Sequence, residues 1–400
     1  MKKTLKLFII PVLAVAAILY SCSGDDVYEG TPVSSEDYPG ILAAFGSNIN
    51  VSSLENYANQ PKPNYITRDN TTGNSITDKG ATLGRILFYD KNLSKNNTIS
   101  CSSCHKQELA FGDNVVASVG VNGTTARHSM RLVNARFGNE AKFFWDERAS
   151  TLEAQTTFPI QDHVEMGFSG TNGDGNLQDL IAKLQNIKYY QEMFKFVYGD
   201  ATVSQTRIQN ALAQFIRSIQ SFDSKYDAGR AASPNDQQPF ANFTAQENQG
   251  KNLFLAPPQF GANGNRTGGG LGCAACHAAP EFDIDPNSRN NGIIGKISGT
   301  GIDITNTRAP SLRNITNTAG IENGQFMHTG NLTTLQQVIG HYGNINIAPG
   351  NTNLDPRLTP GGSGQKLNLT AQETDAVIAF LKTLSGSDVY TNKKWSNPFK

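Results

Sequence analysis

Cys101-Ser102-Ser103-Cys104-His105 constrains this chain more than any other stretch, and Cys273-Ala274-Ala275-Cys276-His277 repeats it. Two thiols three positions apart on one helical turn can each add to a vinyl group of one haem, leaving the adjacent His beneath the iron as axial ligand. Four thiolates around one structural zinc is the rival chemistry, but a His directly after each second Cys would then be redundant. A thioredoxin-like motif wants a βαβ context and a disulfide framework wants a small chain, whereas this chain has 400 residues and five Cys. The duplicated motif predicts two covalently attached c-type haems, one on Cys101 and Cys104 with His105, the other on Cys273 and Cys276 with His277.

Lys2, Lys3 and Lys6 precede an apolar run from Leu7 to Leu19, too short to span a bilayer and laid out as a secretory signal. The run ends Leu19-Tyr20-Ser21-Cys22, which resembles a lipobox with Tyr20 bulkier than usual. Residues 1–21 are expected to be a signal peptide and Cys22 the lipidated first residue; a buried or reactive Cys22 behind an ordinary signal is the alternative. Ser23-Gly24-Asp25-Asp26 is similar to the acidic export tag of surface lipoproteins. The expected location is the cell envelope, in the periplasm or at the cell surface, with contact to the outer membrane through the lipid anchor only. Without the leader, 31 basic residues face 34 acidic ones, a formal charge of −3 that offers nucleic acid no electrostatic handle.

A tether rich in Ser, Thr, Pro and Asn is expected over residues 22–75, interrupted by a weakly apolar stretch from Ile41 to Tyr57. Leu83, Ile86 and Leu87 then fit one helix face, with Thr77-Asp78 as its N-cap and Phe88-Tyr89 closing it. The first haem motif follows, then a long loop-rich insertion, then a helix marked by Ile208, Leu212, Phe215, Ile216 and Ile219. The second half repeats the order. Thr244-Ala245-Gln246-Glu247 is a capping box opening a helix through Phe254, and Thr370-Ala371-Gln372-Glu373 opens another carrying Val377, Ile378, Leu381 and Leu384. The pattern predicts a mostly α, loop-rich fold: two cytochrome c-like haem domains related by internal duplication, over 76–239 and 240–400, joined by a linker from Asp223 to Pro239.

Between the haem motifs lies Phe143-Phe144-Trp145-Asp146-Glu147-Arg148-Ala149, followed by Gln155, Pro159 and Gln161-Asp162-His163-Val164-Glu165-Met166-Gly167. With both haem motifs and Phe326-Met327-His328-Thr329-Gly330, this segment resembles the bacterial di-haem cytochrome c peroxidase and MauG family over about residues 76–385. The resemblance implies that peroxide binds at the first haem and that the second haem, in an electron-transfer domain, feeds it electrons from a small redox protein or other donor. It also implies that Gln155 and Glu165 face the open side of the first haem, that Pro159 shapes the pocket, and that Trp145 bridges the haems. Splitting hydrogen peroxide needs a group that takes a proton from the inner oxygen and returns one to the departing outer oxygen, and a carboxylate such as Glu165 can do both. Taken alone, Glu165 reads as a solvated loop carboxylate and Trp145 as a core aromatic.

The sixth ligands depart from the family's best-known pattern. Many of the peroxidases carry a removable His in the loop after the first motif, but Lys106 to Arg127 contains no His, and His128 is the first candidate. The favoured expectation is a first haem without an endogenous sixth ligand. For the second haem the candidates are Met327, His341 and Tyr342. Counting from His328-Thr329-Gly330, the resemblance favours Tyr342, an oxygen donor that lowers the haem potential relative to Met. A packed Tyr342 is the bland alternative. The family also implies an interdomain calcium ion, although Thr318 to Gln325 is longer than expected where its ligands would lie. The expected activity is that of a cytochrome c peroxidase; the rivals are a MauG-like oxidase of a protein or small molecule, a plain electron-transfer cytochrome, and a sensor with inert haems.

Overall fold

Ile41 and Phe45, one turn apart, bury the same face of α1 (Pro39–Phe45), and Ile49, Val51, Tyr57 and Ile66 follow them into the interior. A computed structural model describes residues 34–139, 142–284 and 286–399; Cys22 and the leader lie outside them. The stretch expected to be a tether is thus, from Ser34 onward, part of the body. Its apolar residues are few, but Ile41, Phe45, Ile49, Val51, Tyr57 and Ile66 fall where one short helix and an extended segment can bury them.

The described chain is mostly helical. After α1 come α2 (Asp78–Tyr89), α3 (Cys101–Cys104), a two-stranded hairpin β1 (Val119–Gly120) and β2 (Gly123–Thr124), and α4 (Leu152–Thr157). Next are α5 (Leu177–Gln185), α6 (Lys188–Tyr198), α7 (Gln205–Ser218) and α8 (Lys225–Ala231). The second half holds α9 (Ala245–Leu255), the antiparallel pairs β3 (Pro258–Phe260) with β4 (Arg266–Gly269) and β5 (His277–Ala278) with β6 (Asp283–Ile284), then α10 (Leu335–Gly343), α11 (Ala371–Lys382) and α12 (Asp388–Thr391). The caps do what the sequence asks: Thr77 accepts from the Gly80 amide, and Thr244 and Thr370 form full capping boxes with Glu247 and Glu373. Each such cap stabilises by about 1 kcal/mol.

Two features differ from expectation. The loop-rich insertion before α7 also holds two helices that were not expected, α5 and α6, which bury Leu177, Leu180, Leu184, Tyr190, Met193 and Phe194. The segment expected to be a linker carries α8, whose Asp227 accepts two bonds of 2.9 Å from the fully buried Arg313 and one of 2.8 Å from Tyr65. Such a fixed ion pair is the opposite of a flexible joint.

The buried residues form two apolar cores. One gathers around α2 and α7 and takes in α1, α6 and, from the far end of the chain, Val389 and Trp395. The other gathers around α9 and α11, with Tyr226, Phe254 and Phe380 each in edge-to-face contact with Phe282. Both helix pairs cross at a glycine. A Cβ on Gly84 would lie 1.9 Å from the Ala211 carbonyl oxygen, and one on Gly250 would lie 1.8 Å from that of Ala376. Gly84→Ala and Gly250→Ala should each cost about 1–3 kcal/mol by overpacking, read as a lower thermal midpoint. Gly340→Ala, a helical site with nothing within 4 Å of the added carbon, is the control and should not destabilise.

Candidate active site

Ser100 and Ser103 cap each other reciprocally around the single turn of α3, which sets Cys101 and Cys104 one turn apart and ends at His105. The His105 Nδ1 lies 3.2 Å from the Phe111 carbonyl oxygen. A carbonyl only accepts, so Nδ1 carries the proton and Nε2 keeps its lone pair for a metal. Burial holds this imidazole below its usual range, hence neutral, and pushes the thiols up, Cys101 to about 12 and Cys104 to about 11. The four motif cysteines are unbridged. Among the described residues no three of His, Cys, Asp and Glu gather as a metal cluster.

Cys101, Cys104 and His105 open on a cavity of about 820 Å³ that Trp145, Gln155, Pro159 and Glu165 also line. That volume lies in the range of cofactor pockets, about 300–1,000 Å³. Phe88, Leu212, Ile216 and Met166 supply apolar wall. Glu165 is aimed by its turn: the Asp162 carboxylate accepts the Val164 and Glu165 amides at 2.7 and 2.9 Å, and the hairpin clamps the turn from outside through Val121 N–H to the Glu165 carbonyl at 3.0 Å. Among the described residues no hydrogen bond reaches the Glu165 carboxyl or the Gln155 amide. Burial first, then the Asp162 charge, raises the Glu165 carboxyl to about 7, against a pull downward from Arg148.

Trp145 is held from both halves of the chain. Its Nε1 donates to the His128 carbonyl at 2.7 Å, and its own carbonyl accepts the Thr307 and Arg308 amides at 2.9 and 3.0 Å. Its ring meets that of His328 edge-on at 6.3 Å. Beside it, Arg127 joins Asp146 at 2.6 Å to Asp303 at 2.7 Å. The sequence hid this clasp, because Asp303 sits in a Gly-rich loop with no pattern to mark it.

The second motif is wound more tightly, as a 3-10 turn over Cys273–Ala275 entered through Gly272 at φ 73°. Burial pushes Cys273 up to about 12 and His277 down to about 4. Tyr342, in α10, is half-buried and close enough to Cys273 and Cys276 to feel both thiols, and its phenol is pushed well above the usual tyrosine range. The Asn291 amide lies 3.3 Å from the Tyr342 hydroxyl and 3.1 Å from the Met327 sulfur, so these two candidates converge on one point. His341 turns its Nε2 to the Asn291 carbonyl at 2.9 Å. His128 lines the first cavity, with Nδ1 held by the Val115 carbonyl at 2.9 Å. His328 bonds the Gly295 carbonyl at 2.9 Å, and His163 pairs with Asp174 at 2.7 Å.

A model of the di-haem cytochrome c peroxidase family matches residues 78–233, the stretch that holds the first motif and the whole cavity segment. Residues 78–233 thus carry the pattern of the di-haem cytochrome c peroxidase family. It is 29% identical over 327 residues to the methylamine utilization protein MauG of Methylophilus methylotrophus, covering 78% of this chain and 84% of that one. It is 28% identical over 326 residues to the cytochrome c551 peroxidase of Nitrosomonas europaea, covering 76% and 80%. The solved structure of a MauG-like protein associated with microbial copper homeostasis aligns with a TM-score of 0.65 at 29% identity, over 85% of this chain and 99% of that one. A match to the di-haem family implies two haem c groups, and the residues fit them: unbridged thiols, neutral histidines with a protonated Nδ1 at the first site, and a cavity of haem dimensions. Among the described residues no helix is long and apolar enough to cross a membrane.

Proposed function

We propose that this protein reduces hydrogen peroxide to water at the haem held by Cys101, Cys104 and His105. The electrons come from a small redox donor through the haem held by Cys273, Cys276 and His277. The observation that carries the reading is Glu165: an unpartnered carboxyl facing the first cavity beside Gln155, with a proton affinity near neutrality. The haem iron, when bound, supplies the electrophile and the electrons. Glu165 accepts the proton from one peroxide oxygen and returns it to the other, so that the second oxygen leaves as water. Gln155 donates a hydrogen bond that orients the peroxide, Pro159 limits the pocket, and Trp145 is the bridge for electrons between the halves.

The two halves read as a duplicated unit, a peroxidatic domain over 76–239 and an electron-transfer domain over 240–400, whose last residues, Val389 and Trp395 among them, return to the first core. In support, Gly84 crosses α7 at Ala211 and Phe215, and Gly250 crosses α11 at Ala376 and Phe380, the same residue types at the same spacing. Cys22 is the lipid attachment that holds the mature chain to the outer membrane. An interdomain calcium ion is not part of this reading.

Tyr342 beside the second pair of thiols favours one alternative, a MauG-like oxidation of a protein or small molecule by the same haems. Steady-state peroxide consumption with a panel of reduced donors, with and without pre-reduction, separates the two. Turnover with a redox protein supports the peroxidase; its absence with every donor, with haem oxidation by peroxide retained, supports the alternative. The oxidised protein should show one high-spin and one low-spin ferric haem by electron paramagnetic resonance and react with peroxide unreduced. Tyr342→Phe should change the low-spin signal alone. Two low-spin signals, with no reaction before reduction, would instead make His128 a removable ligand.

A further inference from the structure

The cavity beside the first motif is lined by four arginines, Arg127, Arg131, Arg148 and Arg308. Three of them have carboxylate partners. Arg127 pairs with Asp146 and Asp303 at 2.6 and 2.7 Å, Arg148 with Asp146 at 2.8 Å, and Arg308 with Asp283 at 3.8 Å. Arg131 has none: among the described residues no ion pair or hydrogen bond reaches its guanidinium, and its Nε is sealed from solvent without a partner. Burial without a carboxylate nearby pulls the group down to about 10.

This side chain is placed with care. Its stem passes so close to Gly112 that a Cβ there would lie 2.7 Å from the Arg131 Cγ. It follows directly on Met130, whose carbonyl faces the His105 imidazole. The guanidinium is therefore carried by the segment that backs the proximal ligand, and it reaches the cavity wall from there. A buried cation with no counter-charge is costly, and folds keep one where a ligand supplies the anion. Haem carries two propionate carboxylates, and the planar guanidinium fork matches a carboxylate in two parallel hydrogen bonds.

We propose that Arg131 is the counter-ion of a propionate of the haem attached through Cys101 and Cys104, and so helps to set that haem's reduction potential. The inference rests on the haem assignment made above. A fixed positive charge beside the haem edge favours the ferrous state, because the ferric centre carries one more positive charge.

The test uses the holoprotein with Arg131→Met, which keeps the apolar stem, and Arg131→Lys, which keeps the charge. A pyridine haemochrome count on all three proteins checks attachment first, so failure of the haem assignment is told apart from failure of the Arg131 role. Redox titration followed optically and by electron paramagnetic resonance should show a lower midpoint for the first haem in the Met variant and recovery in the Lys variant. An unchanged first-haem midpoint in the Met variant, or a shift confined to the second haem, overturns the proposal. Loss of haem from Met but not from Lys, with the Lys midpoint near wild type, supports it. Loss from both makes Arg131 a folding residue and overturns it.

Discussion

Glu165→Gln keeps both haems and their resting spectra while peroxide turnover falls about 10²–10⁴-fold, the usual worth of a positioned general acid–base group. Gln has nearly the same size and reaches the same cavity, so the pocket survives, but an amide cannot accept a proton and then return it. The wild-type rate carries a second signature. Burial and the neighbouring Asp162 hold the Glu165 carboxyl near 7 rather than in the ordinary carboxylate range. The ionised form is the one that can accept a proton, so turnover should fall as pH drops through about 7 and rise above it. The Gln variant should lack that limb. Turnover left unchanged would remove Glu165 from the mechanism, and loss of haem would make it structural.

Much of this arrangement was legible because it is local. The haem motifs are five residues long, the capping boxes four, and α2 and α7 carry their apolar faces in plain 3.6-residue periods. The cavity segment was legible for the same reason, since Trp145, Gln155, Pro159 and Glu165 fall within twenty-odd consecutive residues. What escaped notice was set by distant partners. Trp395 has no apolar period around it, yet it completes the first core by donating to the Ser218 carbonyl at 3.1 Å, so the chain's last segment belongs to its first half. Asp227 read as one polar residue in a linker until Arg313, 86 positions away, supplied its charge partner. The miss at α5 and α6 is of another kind. Leu177, Leu180 and Leu184 do keep helical spacing, and the glycine-rich stretch before them drew the whole insertion toward loop.

The same division explains the Arg127 clasp and the unpaired Arg131. Charge pairing across a fold has no period, and only the packed structure shows which of several arginines has a carboxylate and which does not.

Replacing Cys273 and Cys276 together by Ala should leave one haem per chain and bring donor-supported peroxide turnover to background, because the entry point for electrons is lost while the peroxide pocket is untouched. Burial keeps the Cys273 thiol protonated, and neither cysteine has a bridge to break, so the substitution removes two covalent tethers and little packing. His277 remains, but a neutral imidazole on its own competes poorly for a haem that the covalent bonds no longer hold. The reciprocal variant, Cys101→Ala with Cys104→Ala, should keep a low-spin haem that the donor still reduces and that peroxide does not reoxidise. Reduction of hydrogen peroxide to two waters consumes two electrons and two protons, so each variant stops the cycle at a different place, one before electron entry and one at the chemistry. A pyridine haemochrome assay that still finds two haems in either variant would overturn the attachment itself. One haem in each, with the peroxide and donor reactions exchanged between the variants, would reverse which half is peroxidatic.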